Sequence, residues 1–435
     1  MVWIARWAKP LARLHLCCYE EWQKGQPLKI LLVGYNGARN TGADARVVAL
    51  TQQLEQVLET EKAELTVMTL DANNVKGYFS ENVHLLHFTT MFIFSLFKAC
   101  CHHHVAILCE GSTLTPTFAD ALCVFFCEAA GIMREQGKPC IAYGSEVGRL
   151  DGWLARLSRD LCSDTYFMVR TEGSLRNLKA LGLKGHVGTD TAWTFQTEEG
   201  MAWARQYLVN AGWNGKKPLI GVAPINPFCW PVRPSFWRWI KAQITRDFSQ
   251  QYDKLYFFSD SFERRQKFKN YLIEMATAVN RYSMEHDAFV IILGMEKLDA
   301  DVCALLERQI DSPHVVCTSK TCNVFQMTGL LRQLSILLTS RYHASILSME
   351  CACPIVAVSI DERLNGIMHE TGLDRDYLHH ATDVELSNRI TVSLRMAELH
   401  EQEIRDIIEH HLIRYKNKTF EMSQFFITWL KTHFS

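Results

Sequence analysis

From Lys29 onward, short runs of Val, Ile and Leu alternate with longer segments whose apolar residues recur at helical spacing. The first run, Lys29–Val33, leads through a glycine-rich loop into the helical segment Ala43–Glu59. This alternation predicts a mainly parallel sheet that helices cover on both faces. Because ligands of such sheets bind beyond the carboxyl ends of the strands, the loops that follow strands are the places to look for functional residues.

The alternation occurs twice along the chain. In the second series the predicted strands include Leu219–Ala223, Lys254–Phe258, Ala288–Leu293 and Ile355–Ser359. Between the two series, Gln196–Lys217 contains three glycines and is followed by a proline, which predicts a domain boundary. We therefore predict an α/β protein with two Rossmann-like domains, residues 28–200 and 217–385, followed by C-terminal helices over residues 386–435. With two such sheets, the cleft between the domains is the expected binding site.

Charge and cysteine content exclude some classes of function. The 435 residues include 46 Lys and Arg against 47 Asp and Glu, so the chain lacks the basic excess of a general nucleic-acid binder and no nucleic-acid partner is predicted. Most of the 15 cysteines lie inside apolar runs, which predicts buried thiols in a reducing, cytoplasmic compartment. Adjacent ligands rarely converge on one ion, so the tract Cys100–His104 is predicted to connect a helix to a strand, and no metal site is predicted.

The N-terminal residues 1–27 form an extension ahead of the first predicted strand. No run in the chain reaches the ~18–20 apolar residues of a membrane span. Within residues 1–18, however, apolar side chains recur on one helical face, opposite Arg6, Lys9 and Arg13. Such a helix either packs on the protein or lies in an anionic membrane interface, and the second alternative would place the protein at the inner face of the membrane.

The first strand-following loop, Gly34–Gly42, is rich in glycine. Gly37 and Gly42 permit close approach of the backbone to a ligand, and Asn40 and Asp44 bracket a predicted helix start, where they can cap the helix or bind a substrate. A capped turn without a ligand is the alternative. The loop has neither the dinucleotide-binding pattern nor the P-loop pattern of glycines, so neither type of site is predicted.

Three further loops of the first series carry polar residues after strands. In the first, Glu110 can act as a base and Ser112 can donate to a sugar or phosphate, although simple turn chemistry also explains both residues. In the second, Gly144 precedes the carboxylate of Glu146. In the third, Arg170 ends a strand and either binds a ligand or forms a structural salt bridge.

The strongest candidate loop follows the predicted strand Ser335–Thr339. Ser340, Arg341 and His343 lie there at the start of a predicted helix, where backbone N–H groups and the helix dipole favour an anion. Arg341 adds a planar two-pronged donor, and His343 adds a group that transfers protons near neutral pH. The charged pair of Asp361 and Arg363 follows the next predicted strand and is expected to border the same pocket.

Taken in order, these motifs resemble the polysaccharide pyruvyl transferase family over roughly residues 29 to 373. The matching segments are Asn40-Thr41-Gly42 with Asp44, Gly137-Lys138-Pro139-Cys140-Ile141-Ala142-Tyr143-Gly144, Val169-Arg170 with Ser174 and Asp190, Ser340-Arg341-Tyr342-His343-Ala344, and Asp361 with Arg363. The resemblance implies a GT-B-like fold and an enzyme that uses phosphoenolpyruvate to build pyruvate ketals on sugars. It also implies that Arg341 and His343 occupy positions that take part in donor binding and catalysis in the family.

Two loops depart from the family pattern. A multi-glycine run is replaced by Glu110-Gly111-Ser112, and a short basic motif is replaced by Pro224–Arg233, where Arg233 is the remaining candidate cation. These departures leave the donor itself open. The N-terminal extension lies outside the resemblance.

The chemistry implied by the resemblance assigns roles to the candidates. Phosphoenolpyruvate carries a phosphate and a carboxylate, so Arg341 with its helix start is predicted to hold one group and Arg233 or Arg170 the other. His343 is the predicted acid, and Glu110 or Glu146 the predicted acceptor of hydroxyl protons. The expected partners are phosphoenolpyruvate and a sugar or lipid-linked glycan of the cell surface, with no cofactor beyond this donor.

Two other functions remain open at this stage. A GT-B glycosyltransferase would use the same helix start to bind the diphosphate of a nucleotide sugar. A non-catalytic glycan-binding member of the family would fold in the same way and bind no donor. Fold analogy alone does not separate the three functions.

Overall fold

The computed structural model describes residues 20–58, 62–88, 92–117, 119–247, 251–253 and 255–434. These residues form two compact units. The first unit contains the described residues up to Ala38, then Ala43–Phe195 and the C-terminal residues from Tyr415; the second contains Arg39–Gly42 and Gln196–Arg414. The predicted helix of residues 1–18 lies outside the described residues.

The first unit contains a sheet of seven parallel strands in the described residues, in the order β3-β2-β1-β4-β5-β6-β7. The strands are β1 (Leu28–Asn36), β2 (Ala63–Thr69), β3 (Val83–His87), β4 (Val105–Leu108), β5 (Cys140–Ser145), β6 (Tyr166–Val169) and β7 (Lys184–Val187). The helices are α1 (Thr41–Val57), α2 (Phe92–His102), α3 (Asp120–Glu135), α4 (Gly152–Leu161) and α5 (Glu172–Ala180). This order is that of a Rossmann-like sheet.

Side chains of β1 alternate between the two faces of this sheet. Leu31 and Val33 join the apolar cluster formed with α3 and α4, whereas Ile30 and Leu32 join the cluster formed with α1 and the C-terminal helix. Because both faces are buried, the strands read as continuous apolar runs, which is why the sequence pattern located them. The Cys100–His104 tract joins the end of α2 to β4, as predicted.

The second unit contains a sheet of six parallel strands in the described residues, in the order β13-β12-β8-β14-β15-β16. Its strands, with those of a small antiparallel sheet (β9 to β11), are β8 (Leu219–Ala223), β9 (Arg233–Pro234), β10 (Gln251–Asp253), β11 (Tyr256–Phe257), β12 (Phe289–Gly294), β13 (His314–Thr318), β14 (Ile336–Thr339), β15 (Ile355–Ser359) and β16 (Leu378–His380). The helices are α6 (Glu198–Asn210), α7 (Phe236–Thr245), α8 (Phe262–His286), α9 (Asp299–Glu307), α10 (Val324–Leu331), α11 (Tyr342–Met349), α12 (Glu362–Glu370), α13 (Asp374–Tyr377), α14 (Leu386–Leu399) and α15 (Glu401–His433). The second unit therefore repeats the Rossmann-like order.

Two predicted boundaries differ from the observed units. The segment Gln196–Lys217, predicted as a boundary, contains helix α6, which packs on α10 through a close approach of Gly200 and Gly329. The residues predicted as separate C-terminal helices are divided between the units. From Tyr415 onward they belong to the first unit, because the apolar side chains of Met422 and Phe426 fill one face of its sheet.

The contact between α6 and α10 yields a stability prediction. A Cβ at Gly329 would lie 2.1 Å from the Gly200 carbonyl oxygen, so Gly329→Ala is expected to lower the free energy of unfolding by about 1–3 kcal/mol. At Gly366 in α12, a Cβ would have no heavy atom within 4 Å, so Gly366→Ala is expected to be neutral or stabilising by less than about 1 kcal/mol. Urea denaturation of both variants checks this, and equal effects would contradict it.

Most of the described cysteines are buried thiols, which confirms the prediction for them. Cys317 and Cys322, which the sequence pattern did not pair, form a disulfide. No helix among the described residues is long and apolar enough to cross a membrane.

Candidate active site

Arg341 lies at the carboxyl edge of the second sheet, between β14 and α11. Its guanidinium donates a short hydrogen bond to Asp299 and lies 3.2 Å from a carboxylate oxygen of Glu296. Both acids follow β12, so the loops after β12 and β14, on either side of β8, supply the cluster. Arg341 is therefore a largely buried cation, 15% exposed, that is already matched by two carboxylates.

The environment of this cluster changes two pKa values. Burial raises the pKa of Asp299 to about 6, and the negative charge of Glu296 adds to the increase although Arg341 opposes it. Burial alone would lower the pKa of Arg341, but Asp299 and Glu296 raise it, so the guanidinium stays charged. Asp299 can thus take up a proton near pH 6 while Arg341 stays charged.

His343 lies in the first turn of α11, with its ring edge-on to Tyr342 at 5.1 Å between centroids. On another side the ring packs against Gly42. The backbone of the segment Arg39–Gly42 is tied to the loop after β12, since the Thr41 N–H donates to the Met295 carbonyl at 2.9 Å. This segment of the glycine-rich loop is therefore part of the site in the second unit.

Gly42 is expected to set the position of the His343 ring. A Cβ at residue 42 would lie 2.1 Å from Nδ1 and 2.8 Å from Cβ of His343, so a methyl group there requires the whole imidazole to move. Gly42→Ala is expected to lower turnover by roughly tenfold or more, because displacement of about 1 Å is costly for a catalytic group. Circular dichroism and steady-state kinetics together check this. Wild-type turnover in a folded variant would show that the contact does not position the ring.

Ser340 and the Asp361–Arg363 pair complete this edge of the sheet. The Ser340 hydroxyl lies 2.8 Å from the Tyr271 hydroxyl, and Asp361 caps α12 and binds the Arg363 guanidinium at 2.5 Å. Burial alone would raise the pKa of Asp361, but Arg363 lowers it. The Arg363 guanidinium also lies over the Tyr342 ring, 5.9 Å from its centroid. Arg363 is thus next to the residue that contacts His343.

Arg233 does not take the position predicted for a donor-binding cation. It is exposed on β9 of the small antiparallel sheet, where its backbone pairs with Phe257. The preceding loop is held by Arg264, which donates to the carbonyl oxygens of Phe228 and Trp230 at 2.6 and 3.0 Å. A donor-binding role of Arg233 stays a prediction.

Four charged side chains of the first unit form a buried network. Asp190 accepts from Arg46 at 2.5 Å and from Arg170 at 2.7 Å, and Arg170 also donates to Glu146 at 2.7 Å. Arg46 further donates to the Gly144 carbonyl at 2.8 Å. The side chains of both arginines are only 1% exposed. The network ties helix α1 to the residues that follow β5, β6 and β7.

This network changes the interpretation of two predicted site residues. Both oxygens of Glu146 are engaged, one by Arg170 and the other by the Ser174 hydroxyl at 3.3 Å. Arg170, in turn, is neutralised by Asp190 and Glu146. The geometry favours a structural ion-pair role over the predicted base and donor-binding roles, because the Arg170 side chain is only 1% exposed. The ion-paired side chains of Arg341 and Arg363 are 15% and 17% exposed.

The other predicted residues of the first unit shape its loops. Glu110 is half-buried and accepts from the backbone N–H groups of Tyr35 and Ser112, each at 3.3 Å. The Gly37 N–H donates to Asp44 at 3.1 Å. Gly37 and Gly144 have φ values of +78° and +64°, where glycine is favoured. In the second unit, Asn40 closes its turn by accepting from the Gly42 N–H at 3.1 Å.

Comparison with protein families decides which family this arrangement belongs to. The model of the family "Polysaccharide pyruvyl transferase" matches residues 126–362, more than half of the chain. The chain belongs to the polysaccharide pyruvyl transferase family. The matched residues of this family member include Arg341 and His343 with their partners Glu296 and Asp299. No curated protein sequence is significantly similar to it.

Solved structures with related folds include proteins in complex with UDP or with a UDP-sugar. The UDP-GlcNAc 2-epimerase of Neisseria meningitidis bound to UDP-GlcNAc has a TM-score of 0.55 at 10% identity, over 93% of this chain and 100% of that chain. The S. aureus MnaA–UDP structure has a TM-score of 0.55 at 12% identity, over 88% of this chain and 91% of that chain. The structure of Anabaena Alr3699/HepE in complex with UDP-glucose has a TM-score of 0.54 at 10% identity, over 93% of this chain and 100% of that chain. At these identities the similarity shows the fold alone, which is GT-B-like.

Sequence reasoning missed three residues of this pyruvyl transferase family member: two in the cluster around Arg341 and one in the buried network of the first unit. Glu296 and Asp299 follow a correctly predicted strand, so the rule that selected the other loops would also have selected them. Arg46 lies inside α1 and had no local signal. In the described part of the chain, no group of three or more His, Cys, Asp or Glu side chains is arranged to hold a metal ion.

Proposed function

We propose that the chain transfers a pyruvyl group from phosphoenolpyruvate to two hydroxyls of a glycan, forming a ketal and releasing phosphate. The observation that carries the proposal is the family match, which spans the Ser340–Ala344 motif. The acceptor is proposed to be a cell-surface glycan or its sugar or lipid-linked precursor. A cytoplasmic location fits this acceptor and this donor.

The reaction balances without a further reactant. One acceptor hydroxyl adds to the central carbon of phosphoenolpyruvate while the enol CH2 carbon gains a proton and becomes a methyl group. The C–O bond to phosphate then breaks, and a second hydroxyl adds to the same carbon to close the ketal. The acceptor thus gives up two protons, of which one ends on the methyl group and one on the released phosphate.

His343 is proposed as the acid that delivers the proton to the CH2 carbon. Its ring sits in the first turn of α11, beside Tyr342 and Gly42, where the helix dipole favours a bound anion. Arg341 is proposed to hold one anionic group of the donor. Arg363, which lies over the Tyr342 ring, replaces Arg233 and Arg170 as the proposed second cation.

Glu110 is the better candidate for the acceptor of hydroxyl protons. Of the two carboxylates predicted for this role, Glu146 is bound by a buried arginine, whereas Glu110 is half-buried and accepts from backbone N–H groups. Glu110 is therefore the more accessible of the two carboxylates to an acceptor hydroxyl.

The proposal is tested by titrating the protein with phosphoenolpyruvate in a calorimeter and then measuring phosphate release with a panel of methyl glycosides and lipid-linked sugars. Saturable binding that Arg341→Ala abolishes, followed by acceptor-dependent phosphate release and a pyruvylated product by mass spectrometry, is the expected result. UDP-glucose or UDP-GlcNAc binding without phosphoenolpyruvate binding would favour a nucleotide-sugar glycosyltransferase instead. Binding of none of these by a folded protein would favour a non-catalytic glycan-binding protein.

Donor affinity is expected to increase as the pH falls through about 6. The pKa of Asp299 is raised from 3.8 to about 6, so its carboxyl is ionised above that pH and competes with the donor for Arg341. Between pH about 5 and about 7, we expect the dissociation constant of phosphoenolpyruvate to rise by a factor that is roughly tenfold larger for the wild type than for Asp299→Asn. Protonation of the donor phosphate affects both proteins equally. The same pH dependence in both would contradict the competition.

A further inference from the structure

Helix α7 presents an apolar face to solvent. Phe236, Trp237 and Ile244 are 59%, 79% and 78% exposed, and with the half-buried Ile240 they lie within one side of the helix at 100° per residue. The apolar face of a surface helix ordinarily faces the core. Here its exposure forms a patch of large side chains, and such patches mark interaction sites.

The opposite side of α7 fixes the helix to the protein. Ala242 is buried, and the Arg238 guanidinium lies 4.8 Å from the centroid of the Phe257 ring while donating to the Phe258 carbonyl at 2.9 Å. Phe236 packs on Trp239, with 5.8 Å between ring centroids and 24° between planes. The aromatic side chains are thus held in a preformed arrangement, directed away from the small antiparallel sheet.

Basic residues surround the exposed face. Apart from Arg238 on the packed side, the segment 233–247 carries Arg233, Lys241 and Arg246 against the single acid Asp247, although the whole chain has a net charge of −1. Lys241 follows the apolar residues around the helix, and Arg233 and Arg246 are exposed at its two ends. This local excess of positive charge is complementary to an anionic surface.

We propose that α7 is a membrane-docking helix, which lies in the interface of an anionic lipid bilayer. Trp and Phe side chains favour the headgroup region, and Lys and Arg beside them bind the lipid phosphates. A nearly flat apolar face with a basic border is the arrangement that such interfacial helices share. The docking surface differs from the one predicted at residues 1–18, and it does not depend on the reaction proposed above.

Vesicle sedimentation with the full-length protein tests the proposal. The wild type is expected to bind vesicles of phosphatidylcholine mixed with phosphatidylglycerol and to bind pure phosphatidylcholine ~10-fold more weakly. The double variant Trp237→Ser with Ile244→Ser is expected to lose ~10-fold or more of the binding to the mixed vesicles. Trp153→Ser, which changes a tryptophan 48% exposed on α4 of the first unit, is the matched control and should bind as the wild type does.

A charge variant separates the two components of the surface. Lys241→Glu with Arg246→Glu is expected to remove the preference for phosphatidylglycerol. Because Trp237, Ile244, Lys241 and Arg246 are all exposed, circular dichroism should report an intact fold for both double variants. Wild-type binding by the Trp237 double variant would place any membrane contact elsewhere and overturn the proposal. Absence of vesicle binding by the wild type would overturn it too. Sedimentation velocity provides a third test. If the wild type self-associates and the Trp237 double variant does not, α7 joins two copies of the chain and the proposal is wrong.

Discussion

Replacing His343 by alanine is expected to lower kcat for pyruvyl transfer by about 10²–10⁴-fold, the usual effect of removing a general acid. The dissociation constant of phosphoenolpyruvate should change by less than about threefold, because Arg341 and the helix start remain. The physical reason is that the enol CH2 carbon forms a new C–H bond in the reaction, so a proton must be delivered to one face of the enol. Stopped assays of phosphate release, together with calorimetric titration of the donor, separate the two effects.

His343→Gln and Tyr342→Phe are the controls for this prediction. Glutamine keeps much of the volume and a hydrogen-bonding end but transfers no proton at neutral pH, so its loss of kcat should approach that of alanine. Tyr342→Phe keeps the ring that contacts His343 and lies under Arg363, so kcat should fall by less than about threefold. Near wild-type turnover in His343→Ala would rule out the role of His343 as the acid.

The fold could be predicted where strands are buried on both faces. Leu219–Ala223 and Ile355–Ser359 were predicted with their observed bounds, because their apolar runs are short and end at turns. Lys254–Phe258 was predicted as another strand of a parallel sheet and was wrong. Of its described residues 255–258, Tyr256–Phe257 forms a strand, and this strand pairs antiparallel with β9. Its partner is fixed by tertiary contacts, which a local pattern does not contain.

The positions of candidate site residues could be predicted where residue type and a strand end coincide. Arg341 and His343 were selected in this way, and the structure places both at the carboxyl edge of the second sheet. The carboxylates that neutralise Arg341 are about 40 residues away in the chain, so the charge balance of the site had no local signal. The same holds for Arg170 and Glu146. Each resembled a ligand-binding residue on its own, and only their mutual contact in the fold indicates a structural pair.

Asp190→Ala is expected to lower the free energy of unfolding by about 3–5 kcal/mol, the largest stability effect predicted for this chain. One oxygen of Asp190 accepts from both Arg46 and Arg170, and the other accepts from the Ala192 N–H at 3.0 Å. Removing the carboxylate leaves two buried guanidinium groups with Glu146 as the remaining acid of the network. Burial of an uncompensated charge is costly, so the loops after β5, β6 and β7 should loosen together.

Asp151→Ala provides the matched control for Asp190→Ala. Asp151 is an exposed aspartate in the same unit, and it precedes α4 without a side-chain capping hydrogen bond. Its replacement should change the free energy of unfolding by less than about 0.5 kcal/mol. Urea denaturation followed by both fluorescence and circular dichroism measures the two variants. The combination of Arg46→Met with Asp190→Asn should cost less than the sum of the single changes, because it removes one buried charge of each sign. Additive costs, or an Asp190→Ala variant as stable as Asp151→Ala, would show that the network does not stabilise the first unit in this way.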